Sequence, residues 1–465
     1  MIFYFETYGC QMNVAESAAL RQILLARGWT ELPPETSFND SKQSAESDTL
    51  PNLVIINTCS VRITAEQRVI GRLGFYAALK NKLNTADPQN GNFKDMPRKK
   101  LFVLVTGCMA ERIGESLIEK GADYILGTQN RNLFQSILDE VESAIDKKKK
   151  LPPQGFSFFQ NYFTEGTFRS FVPIMHGCNN FCSYCIVPYV RGREISRSVS
   201  DILTEIDMLS LNNVKEITLL GQNVNSYLWH DDHKINFADL LELIAEHIAG
   251  TSIKWVRFLS SHPKDLSIQT INVIAKYPVY CRHIHLCVQH GSNKILKAMN
   301  RSYTREQYLD LVLRIKDTMP NVSLSTDILV GFPGETEDDV AEILSLMEQV
   351  RFLYSFMYHY NPREGTAAFD LPNRIDHKIK IERLNQVIKL QHKHTQEYLK
   401  NRIGKTEKVL VEYVSRNDKN ELSCRSEFDE PIIIQGAHAE LCGSFADVKI
   451  ESLKGNTLKG SLVTL

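Results

Sequence analysis

Short apolar runs alternate with helical stretches along most of this chain, and that alternation limits its fold more than any other feature. Near the N-terminus, strand-like runs at residues 2–10, 53–59 and 101–108 each end in a cysteine, and helical stretches follow at residues 15–27, 64–79 and 110–120. Strand followed by helix, repeated along a chain, is typical of βα units whose strands lie parallel in one sheet. We therefore predict an N-terminal α/β domain built on a parallel sheet.

A second series of the same kind begins near Phe171. Its candidate strands are residues 171–175, 216–220, 255–259, 283–288, 323–330 and 355–360. The helical stretches between them are residues 201–211, 237–248, 267–277, 305–319 and 337–350. Six strands with intervening helices predict a complete or partial βα barrel, with functional residues at the carboxyl ends of the strands. A doubly wound open sheet would show the same order of elements and remains the alternative.

The composition changes after Phe369. Residues 374–405 contain nine Lys and Arg against three acidic residues, and Ile381, Leu384 and Ile388 have the spacing of an apolar helix stripe. Residues 407–465 consist of short alternating runs separated by turn-forming residues, which predicts a small antiparallel β-barrel. The polar segments 35–49 and 81–95 are predicted to be loops and 147–153 a linker. We therefore predict three domains, at residues 1–148, 164–396 and 401–465.

The overall composition excludes several classes of protein. The chain has 465 residues, 43% of them hydrophobic, and a formal net charge of −1, which rules out collagen-like, low-complexity and wholly disordered proteins. Its apolar runs are far shorter than the roughly 18–20 residues that cross a bilayer, and its first residues lack an export signal. We therefore expect a cytoplasmic protein with no membrane partner. In such a reducing compartment the ten cysteines are expected to be thiols or metal ligands instead of disulfides.

The most closely spaced cysteines are Cys178, Cys182 and Cys185, a CxxxCxxC sequence just after the first predicted barrel strand. Three thiolates on one tight loop can hold three irons of a [4Fe-4S] cluster and leave the fourth iron open to a small molecule. A structural zinc site requires four ligands, usually in two CxxC pairs, and no second pair follows. His176 could supply a fourth ligand, so zinc remains the alternative here.

Three further cysteines, Cys10, Cys59 and Cys108, are isolated in sequence but equivalently placed. Each ends a predicted strand of the N-terminal sheet, and both intervals between them are 49 residues. The ends of parallel strands converge at one edge of a sheet, where helix N-termini favour thiolates. We predict that these residues are ligands of a second cluster with one open iron, and the alternative is that each is a small buried apolar residue. The remaining cysteines are expected to pack in cores: Cys281, Cys287, Cys424 and Cys442.

Other chemistry-bearing residues lie near the ends of later strands. The glycine-containing segments 220–225 and 327–335 are candidate walls of a nucleoside-cofactor site, although a turn is the commoner role of such segments. His262 and His290 are candidates for acid–base chemistry, with turn-stabilising hydrogen bonds as the alternative. A local face near Arg416 and Arg425, with the basic segment before it, is a candidate RNA contact, and a solvated charged helix is the alternative.

Together these motifs resemble the radical S-adenosylmethionine methylthiotransferases over nearly the whole chain. Residues 7–13 (TYGCQMN), 57–62 (NTCSVR) and 106–112 (TGCMAER) match the auxiliary-cluster domain of that family. Residues 177–193 match its radical core, and the last segment resembles its TRAM module, which binds RNA or protein. The segments 7–13, 187–189 (VPY), 221–225 (GQNVN) and 411–416 (VEYVSR) are most similar to the branch that methylthiolates isopentenyl-adenosine beside the tRNA anticodon.

The resemblance implies a mechanism and its cofactors. One [4Fe-4S] cluster, on the CxxxCxxC cysteines, would bind and reduce S-adenosylmethionine, and the resulting 5′-deoxyadenosyl radical would take hydrogen from carbon 2 of the adenine. A second [4Fe-4S] cluster, on the three isolated cysteines, would hold the sulfur that is transferred, and a second S-adenosylmethionine would supply the methyl group. An external electron donor and a tRNA anticodon stem-loop are the implied partners. The residues assigned to cofactor contacts are Tyr184, Gln222, Asn223, Gln289 and Asp327.

The chain departs from the family pattern at a few positions. Cys287 and His290 replace a proline and a serine, Asn361 replaces a serine, and Cys424 replaces a glycine of the TRAM module. These changes leave the predicted cluster cysteines untouched and concern the substrate pocket and the RNA face. The runner-up targets are threonylcarbamoyl-adenosine of tRNA and an aspartate of a small-subunit ribosomal protein. The alternative of a different class is a non-catalytic, metal-containing RNA-binding protein.

Overall fold

In the computed structural model, the described residues are 1–33, 50–60, 63–85, 100–143, 149–150, 156–415, 418–436 and 439–463. They belong to two compact units, Met1–Thr164 with Ile186–Arg193, and Glu165–Cys185 with Glu194–Leu465. The predicted loop 35–49, most of the predicted loop 81–95, most of the predicted linker and Arg416 lie outside the described residues. The three domain boundaries stay predictions. Within the described ranges, no helix is long and apolar enough to cross a bilayer.

The first unit is built on one parallel sheet, as predicted. Its strands are β1 (Ile2–Tyr8), β2 (Thr30–Glu31), β3 (Leu53–Thr58), β4 (Phe102–Gly107), β5 (Tyr124–Leu126) and β6 (Lys149–Lys150). Its helices are α1 (Gln11–Ala26), α2 (Ile63–Thr85), α3 (Cys108–Glu119), α4 (Phe134–Glu142) and α5 (Val187–Arg191). The strands lie in the order β2-β1-β3-β4-β5-β6, and every neighbouring pair is parallel. Two local predictions are wrong, because residues 81–85 continue α2 and residues 149–150 pair with β5.

The sheet of the first unit is covered on both faces. Alternate residues of a strand point to opposite faces, so Leu53 and Ile55 pack in one apolar cluster while Val54 and Ile56 pack in another. Parallel strands between two helical layers need near-continuous apolar sequence, and every residue of β3 and β4 is buried. With both faces filled in this way, the carboxyl ends of the strands are where thiols and polar groups can collect.

In the second unit, six parallel strands form a partial barrel. They are β7 (Arg169–Pro173), β10 (Glu216–Leu220), β13 (Trp255–Phe258), β14 (His283–His285), β15 (Ser323–Val330) and β16 (Tyr354–His359). Strands β7, β10 and β13 form one sheet and β14, β15 and β16 another, and a parallel bridge from Ser261 to Leu286 joins them. Neighbouring strands follow chain order without reversal, which is the order of a βα barrel and not of a doubly wound sheet.

Helices alternate with these strands near the predicted positions. They are α6 (Val199–Leu211), α7 (Phe237–His247), α8 (Ile268–Lys276), α9 (Asn293–Ala298), α10 (Arg305–Thr318) and α11 (Glu337–Val350). Most of them begin at a side chain that accepts a first-turn N–H, as Thr304 does for α10 and Thr336 for α11. The short α9 and two ribbons were not predicted, since so few residues show no periodic pattern. The ribbons pair β8 (Met175–His176) with β9 (Ile195–Ser196), and β11 (Leu228–His230) with β12 (Lys234–Asn236).

The described chain ends in a closed β-barrel. Its strands are β17 (Thr406–Val414), β18 (Glu421–Ser426), β19 (Pro431–Gln435), β20 (Phe445–Lys454) and β21 (Thr457–Leu462). They close in the order β17-β18-β19-β21-β20. Pairing is antiparallel, as predicted, except between β19 and β21, which are parallel. Alternate side chains such as Val409 and Val411 fill the barrel, and Cys424 is part of this core.

Helix α12 (His377–Lys400) covers most of the basic segment, and its buried face is not the predicted one. The apolar stripe predicted at residues 381, 384 and 388 is only half-buried. The buried side chains are Lys380, Arg383, Val387, Gln391, His394 and Leu399. Burying charged groups requires partners, and Arg383 has them in Glu335 (2.9 Å) and Glu337 (2.7 Å). Part of the positive charge of this segment is therefore used within the fold.

A buried polar network joins the two barrels of the second unit. Arg257 on β13 donates through Nε to Glu216 (2.8 Å). Its Nη atoms donate to the backbone carbonyls of Ser426 (2.8 Å) and Glu427 (3.2 Å) in the terminal barrel. The arginine is 8% exposed, so these bonds form away from water. The turn that follows β18 is thus held on β13 by hydrogen bonds to its own backbone.

His283, in the same network, is expected to make the second unit sensitive to acid. Its ring bonds to Ser323 (2.7 Å) and Ser325 (2.9 Å) and stacks on Tyr354. Burial lowers its pKa from 6.5 to about 4, although Asp429 opposes the shift. Between these two values the unfolded chain binds a proton that the folded chain does not. The contribution of His283 to stability should therefore fall by about 1.4 kcal/mol per pH unit as the pH drops from about 6.5 to about 4.

Denaturant unfolding, followed by tryptophan fluorescence at pH 7, 6 and 5, measures this slope. His283→Asn is expected to reduce it by about 1.4 kcal/mol per pH unit, the contribution of this one histidine. His247, which lies on the surface beside Asp207, is the matched position, and His247→Asn should keep the slope of the unmodified protein. Equal slopes for His283→Asn and the unmodified protein would show that another group controls the acid sensitivity.

Candidate metal centres

The three isolated cysteines lie together at one edge of the parallel sheet and are called the edge trio here: Cys10, Cys59 and Cys108. Strands β1, β3 and β4 are neighbours whose residue-by-residue pairing continues to the last residue of each. Because the cysteines follow those last residues directly or after one glycine, their side chains emerge at the same carboxyl edge. Cys10 stands at the start of α1 and Cys108 at the start of α3. Cys59 and Cys108 are buried and Cys10 is half-buried.

Two buried asparagines hold the turn around Cys10. Asn13 Oδ1 accepts hydrogen bonds from the backbone N–H (3.1 Å) and the thiol (3.3 Å) of Cys10. Asn13 Nδ2 donates to Asn57 Oδ1 (2.9 Å), and Asn57 Nδ2 donates back to the Asn13 carbonyl (2.9 Å). Gly107 precedes the third cysteine with φ +95°, and a Cβ there would lie 2.3 Å from the Thr58 carbonyl oxygen. Glycine is therefore required at that turn.

Three charged side chains are buried beside the edge trio: Glu16 (3% exposed), Arg131 (6%) and Arg191 (3%). Arg191 donates through Nε to Cys108 Sγ (3.2 Å) and through Nη1 to Glu16 Oε1 (2.7 Å). Arg131 pairs with the same carboxylate, so one negative charge serves two guanidinium groups. Sequence reasoning missed all three residues. The available signals were a glutamate on the small-residue face of α1 and an arginine six positions after Cys185.

The first unit also holds the backbone that carries Arg191. Thr128 Oγ1 donates to the carbonyl of Val190 (2.5 Å), and Gln129 Nε2 donates to the carbonyl of Arg191 (2.9 Å). Gly192 follows with φ +76°, and a Cβ there would lie 3.3 Å from Gln129 Nε2. Arg191 is therefore fixed by hydrogen bonds of its side chain and of its backbone carbonyl.

The surroundings shift the pKa values of Cys10 and Cys108 in opposite directions. The pKa of Cys10 is lowered to about 6, chiefly by its hydrogen bond with Cys59, and Arg191 adds to the shift against the effect of burial. The pKa of Cys108 is raised because burial outweighs the attraction of Arg191. Thiolate is the form that binds metal, and Cys10 loses its proton at a lower pH than Cys108 does.

The CxxxCxxC cysteines, called the loop trio, follow β8 in the second unit. Of the three, Cys182 is buried and the other two are half-buried. The loop is tied down by the Gly177 N–H, which donates to Gln222 Oε1 (2.6 Å), and by the Cys185 N–H, which donates to the Cys182 carbonyl (2.9 Å). Arg301 Nη1 donates to Cys182 Sγ (3.3 Å). Each trio therefore has one arginine N–H directed at one of its sulfurs.

Neither trio has the spacing of a single-ion site. Zn–S bonds of about 2.3 Å would place the sulfurs of one tetrahedral zinc site about 3.8 Å apart. In the described parts of the chain, the one group of three His, Cys or acidic residues with ligand atoms within 4.8 Å of one another is His285, Cys287 and Asp327. In a four-iron cluster each thiolate binds a different iron, so wider spacing is expected. The spacing of both trios therefore suits a [4Fe-4S] cluster with one iron left open better than it suits a single zinc ion.

Two of the residues predicted to contact the cofactor come together at the barrel edge. Gln289 follows β14 with φ +68°, and its Nε2 donates to Asp327 Oδ2 (3.4 Å). Asp327 is half-buried on β15. Although burial opposes it, hydrogen bonds from His285, Cys287 and Gln289 hold the pKa of Asp327 below its ordinary value. A carboxylate and an amide thus lie beside one another at the carboxyl end of the barrel, where both can form hydrogen bonds to a ligand.

The other predicted cofactor residues have different surroundings. Gln222 accepts the Gly177 N–H described above, so it supports the loop trio. Asn223 is buried and donates to Asp265 (2.7 Å). Tyr184 packs against the apolar cluster that contains Phe332. Each of these side chains has a contact within the protein, and Asn223 Oδ1 is in addition buried without a hydrogen-bond partner.

Cys287 does not have the core position that we expected. Its sulfur lies within 4.8 Å of ligand atoms of His285 and Asp327. His285 Nδ1 bonds to Ser325 (2.8 Å), and its Nε2 is 3.6 Å from Asp327. Burial opposes the charge on His285, but Cys287 and Asp327 raise its pKa well above the ordinary value. The remaining cysteines pack against apolar clusters, as predicted: Cys281, Cys424 and Cys442.

The two histidines considered for acid–base chemistry stabilise turns instead. Burial lowers the pKa of His262 to about 2, so its ring is neutral and its Nδ1 accepts the Lys264 N–H (3.3 Å). His290 is fully buried, where its Nδ1 accepts the Ser292 N–H (2.9 Å) and its Nε2 bonds to Glu335 (3.1 Å). The alternative role that we considered for both residues is therefore the observed one.

The RNA face near Arg416 and Arg425 stays a prediction, since Arg416 lies outside the described residues. Arg425 pairs with Glu412 (2.6 Å) and Asp429 (3.1 Å), so its charge is balanced within the terminal barrel. Exposed positive charge also lies along the outer face of α12, the basic segment of the same prediction, on Lys378, Lys389 and Lys400. Lys393 is exposed on this face as well and pairs with Glu348 (3.5 Å).

Three protein-family descriptions match the chain. They are the uncharacterized protein family UPF0004 at residues 2–127, the radical SAM superfamily at residues 172–347 and the TRAM domain at residues 400–463. Two curated relatives are similar over nearly their full length, and both carry the name tRNA-2-methylthio-N(6)-dimethylallyladenosine synthase. The protein of Treponema pallidum (strain Nichols) is 48% identical, covering 100% of this chain and 99% of the relative. That of Bacteroides fragilis (strain YCH46) is 41% identical, covering 99% and 95%.

Solved structures with a similar fold are also radical S-adenosylmethionine enzymes. The methyltransferase TsrM from Kitasatospora setae has a TM-score of 0.54 at 13% identity, over 77% of this chain and 72% of that chain. The cobalamin-dependent enzyme OxsB has a TM-score of 0.51 at 11% identity, over 84% and 56%. At these identities the likeness shows the fold alone.

Proposed function

The chain belongs to the family of the tRNA-2-methylthio-N(6)-dimethylallyladenosine synthases, and we propose that it methylthiolates carbon 2 of isopentenyl-adenosine beside the tRNA anticodon. The observation that carries the proposal is the edge trio. Radical formation from S-adenosylmethionine needs one set of three cysteines, and this chain has a second set at the edge of a separate sheet. A second cluster with an open iron offers a place for the sulfur that is transferred.

Each trio would hold one [4Fe-4S] cluster through three thiolates, with the fourth iron open. When bound, the two clusters and S-adenosylmethionine supply the electron, the radical that removes hydrogen from carbon 2, the sulfur and the methyl group. The protein holds and orients these groups and keeps water away from them. Burial of Cys59, Cys108 and Cys182 serves this last role.

The residues at the barrel edge would position the cofactor. Gln222 fixes the start of the cysteine loop by accepting the Gly177 N–H. Asp327 remains ionised and, with Gln289, can accept and donate hydrogen bonds to the polar groups of S-adenosylmethionine. Asn223 and Tyr184 act through their neighbours, by fixing the turn after β10 and the loop itself.

The substrate implies the partners and the compartment. A tRNA anticodon stem-loop carries a dense negative charge, which the exposed lysines of α12 can contact. The reductive step requires an electron from outside the polypeptide, so we propose an external electron donor. Because tRNA is the substrate, we place the enzyme in the cytoplasm.

Lys389→Ala is expected to weaken binding of tRNA to a similar extent for every sequence. Lys389 is exposed on α12, and loss of one phosphate contact should reduce the slope of log K against log salt by about 1. Binding measured by fluorescence anisotropy at several salt concentrations checks this. Arg314→Ala, which removes an exposed charge on α10 that is paired with Asp310, should leave the slope as it was. An unchanged slope for Lys389→Ala would remove α12 from the tRNA interface.

Nucleoside mass spectrometry of tRNA from a strain that lacks this gene tests the function. Loss of the methylthio group from isopentenyl-adenosine is the expected result, and its persistence would show the proposal to be wrong. Loss from threonylcarbamoyl-adenosine instead would point to the other tRNA target.

Iron analysis after anaerobic reconstitution should give about eight irons per chain, since each cluster holds about four. Four or fewer, or zinc in their place, would contradict the two-cluster enzyme and favour a non-catalytic RNA-binding protein.

A further inference from the structure

Each cysteine trio has one buried arginine whose N–H points at a cysteine sulfur. At the edge trio, Arg191 Nε is 3.2 Å from Cys108 Sγ. At the loop trio, Arg301 Nη1 is 3.3 Å from Cys182 Sγ. The two arginines are 3% and 4% exposed, so both contacts form in a medium of low dielectric constant, where charge acts strongly.

The two arginines differ in what balances their charge. Arg191 is paired with Glu16 (2.7 Å), a carboxylate that Arg131 also contacts. The further contacts of Arg301 are neutral, the Tyr303 hydroxyl (3.0 Å) and the Cys287 carbonyl (2.7 Å). One site therefore contains a removable negative charge next to its arginine, which allows the sign of an electrostatic effect to be tested.

We propose that Arg191 and Arg301 set the reduction potentials of the clusters that the edge trio and the loop trio would hold. Reduction adds one negative charge to a cluster. An N–H donor and a positive charge beside a ligating sulfur stabilise the reduced form, and so raise the potential. Both are positioning residues, since they act on metal ligands and not on the reacting atoms. The inference rests on the proposed function only in requiring that both trios hold clusters.

The test is a redox titration of the anaerobically reconstituted enzyme, followed by electron paramagnetic resonance. Addition of S-adenosylmethionine alters the signal of the cluster to which it binds, and this assigns the two midpoints. Arg191→Met should lower only the midpoint of the edge-trio cluster, and Arg301→Met only that of the loop-trio cluster. Arg314→Met, at an exposed position on α10, should move neither.

The sign of the shift separates electrostatics from general disruption. Glu16→Gln keeps the shape of the side chain and removes the charge that offsets Arg191, so it should raise the midpoint of the edge-trio cluster. Arg191→Lys and Arg301→Lys keep the positive charge without the planar donor, so their midpoints should lie between those of the methionine variants and the unmodified enzyme. A purely structural role would lower cluster content without shifts of opposite sign.

Midpoints equal to those of the unmodified enzyme in both methionine variants, at full iron content, would overturn the proposal. If a methionine variant loses its cluster, the lysine variants and Glu16→Gln decide, and unchanged midpoints in them would equally overturn it. The proposed function fails in a different way. Loaded enzyme that forms no methylthiolated tRNA, yet shows these shifts, would contradict the function and leave the role of the arginines standing.

Discussion

Cys10→Ala is expected to leave the reductive cleavage of S-adenosylmethionine intact and to abolish methylthiolation of tRNA, whereas Cys182→Ala should abolish both. The reason lies in the placement of the two trios. Cys182 is in the loop beside the barrel edge, where the cofactor would bind, and Cys10 is at the edge of the parallel sheet of the other unit. Loss of one ligand should empty its own site and leave the other loaded.

Formation of 5′-deoxyadenosine and of methylthiolated nucleoside, both measured by mass spectrometry, checks these two outcomes. Cys442→Ala is the matched control, because Cys442 is half-buried in the terminal barrel, outside both trios, and both activities should persist. If Cys10→Ala lost 5′-deoxyadenosine formation while the loop trio kept its iron, the assignment of cofactor cleavage to the loop trio alone would be wrong.

Arg257→Ala is expected to destabilise the second unit by about 3–5 kcal/mol, because it leaves the carboxylate of Glu216 buried without its cation. It also removes the bonds from Arg257 to the Ser426 and Glu427 carbonyls. The terminal barrel should therefore be held less firmly on β13. Trp255 reports on the same junction, since its ring lies 4.8 Å from that of Phe445 in the terminal barrel.

Denaturant unfolding followed by tryptophan fluorescence, in a protein with Trp29 and Trp229 replaced by Phe so that Trp255 alone reports, measures the loss. Arg314→Ala removes a solvent-exposed pair with Asp310 and should change stability little, since exposed pairs contribute little. A change as small for Arg257→Ala as for this control would show that the junction depends on apolar contacts and not on the arginine.

Local sequence patterns predicted the elements closely where the pattern was long and regular. Strands β10 and β15 and helix α11 have the predicted limits, since period-two and helical spacing are properties of neighbouring residues. The grouping of the edge trio was also predicted, because the carboxyl ends of adjacent parallel strands meet at one sheet edge. Short elements such as α5 and α9 carry too few residues for a pattern.

Buried charged residues were not predicted either, and the physical reason differs from that for the short elements. Glu16 meets Arg131 and Arg191, which are 115 and 175 positions away along the chain. A charged residue is expected at the surface unless its partner is known, and local spacing contains no information about a partner so distant. The same holds for Arg383 on α12, whose partner Glu335 is 48 positions away.

The cysteine spacing and the βα alternation therefore suffice to predict the two cysteine trios and the fold class, because both depend on residues that are near one another in sequence or at equivalent strand ends. Which side chains surround each thiol, which face of α12 is buried and where positive charge remains exposed depend on how distant segments pack. Because of desolvation, a buried charge is stable only beside a partner. These features are therefore determined by the tertiary packing of distant segments.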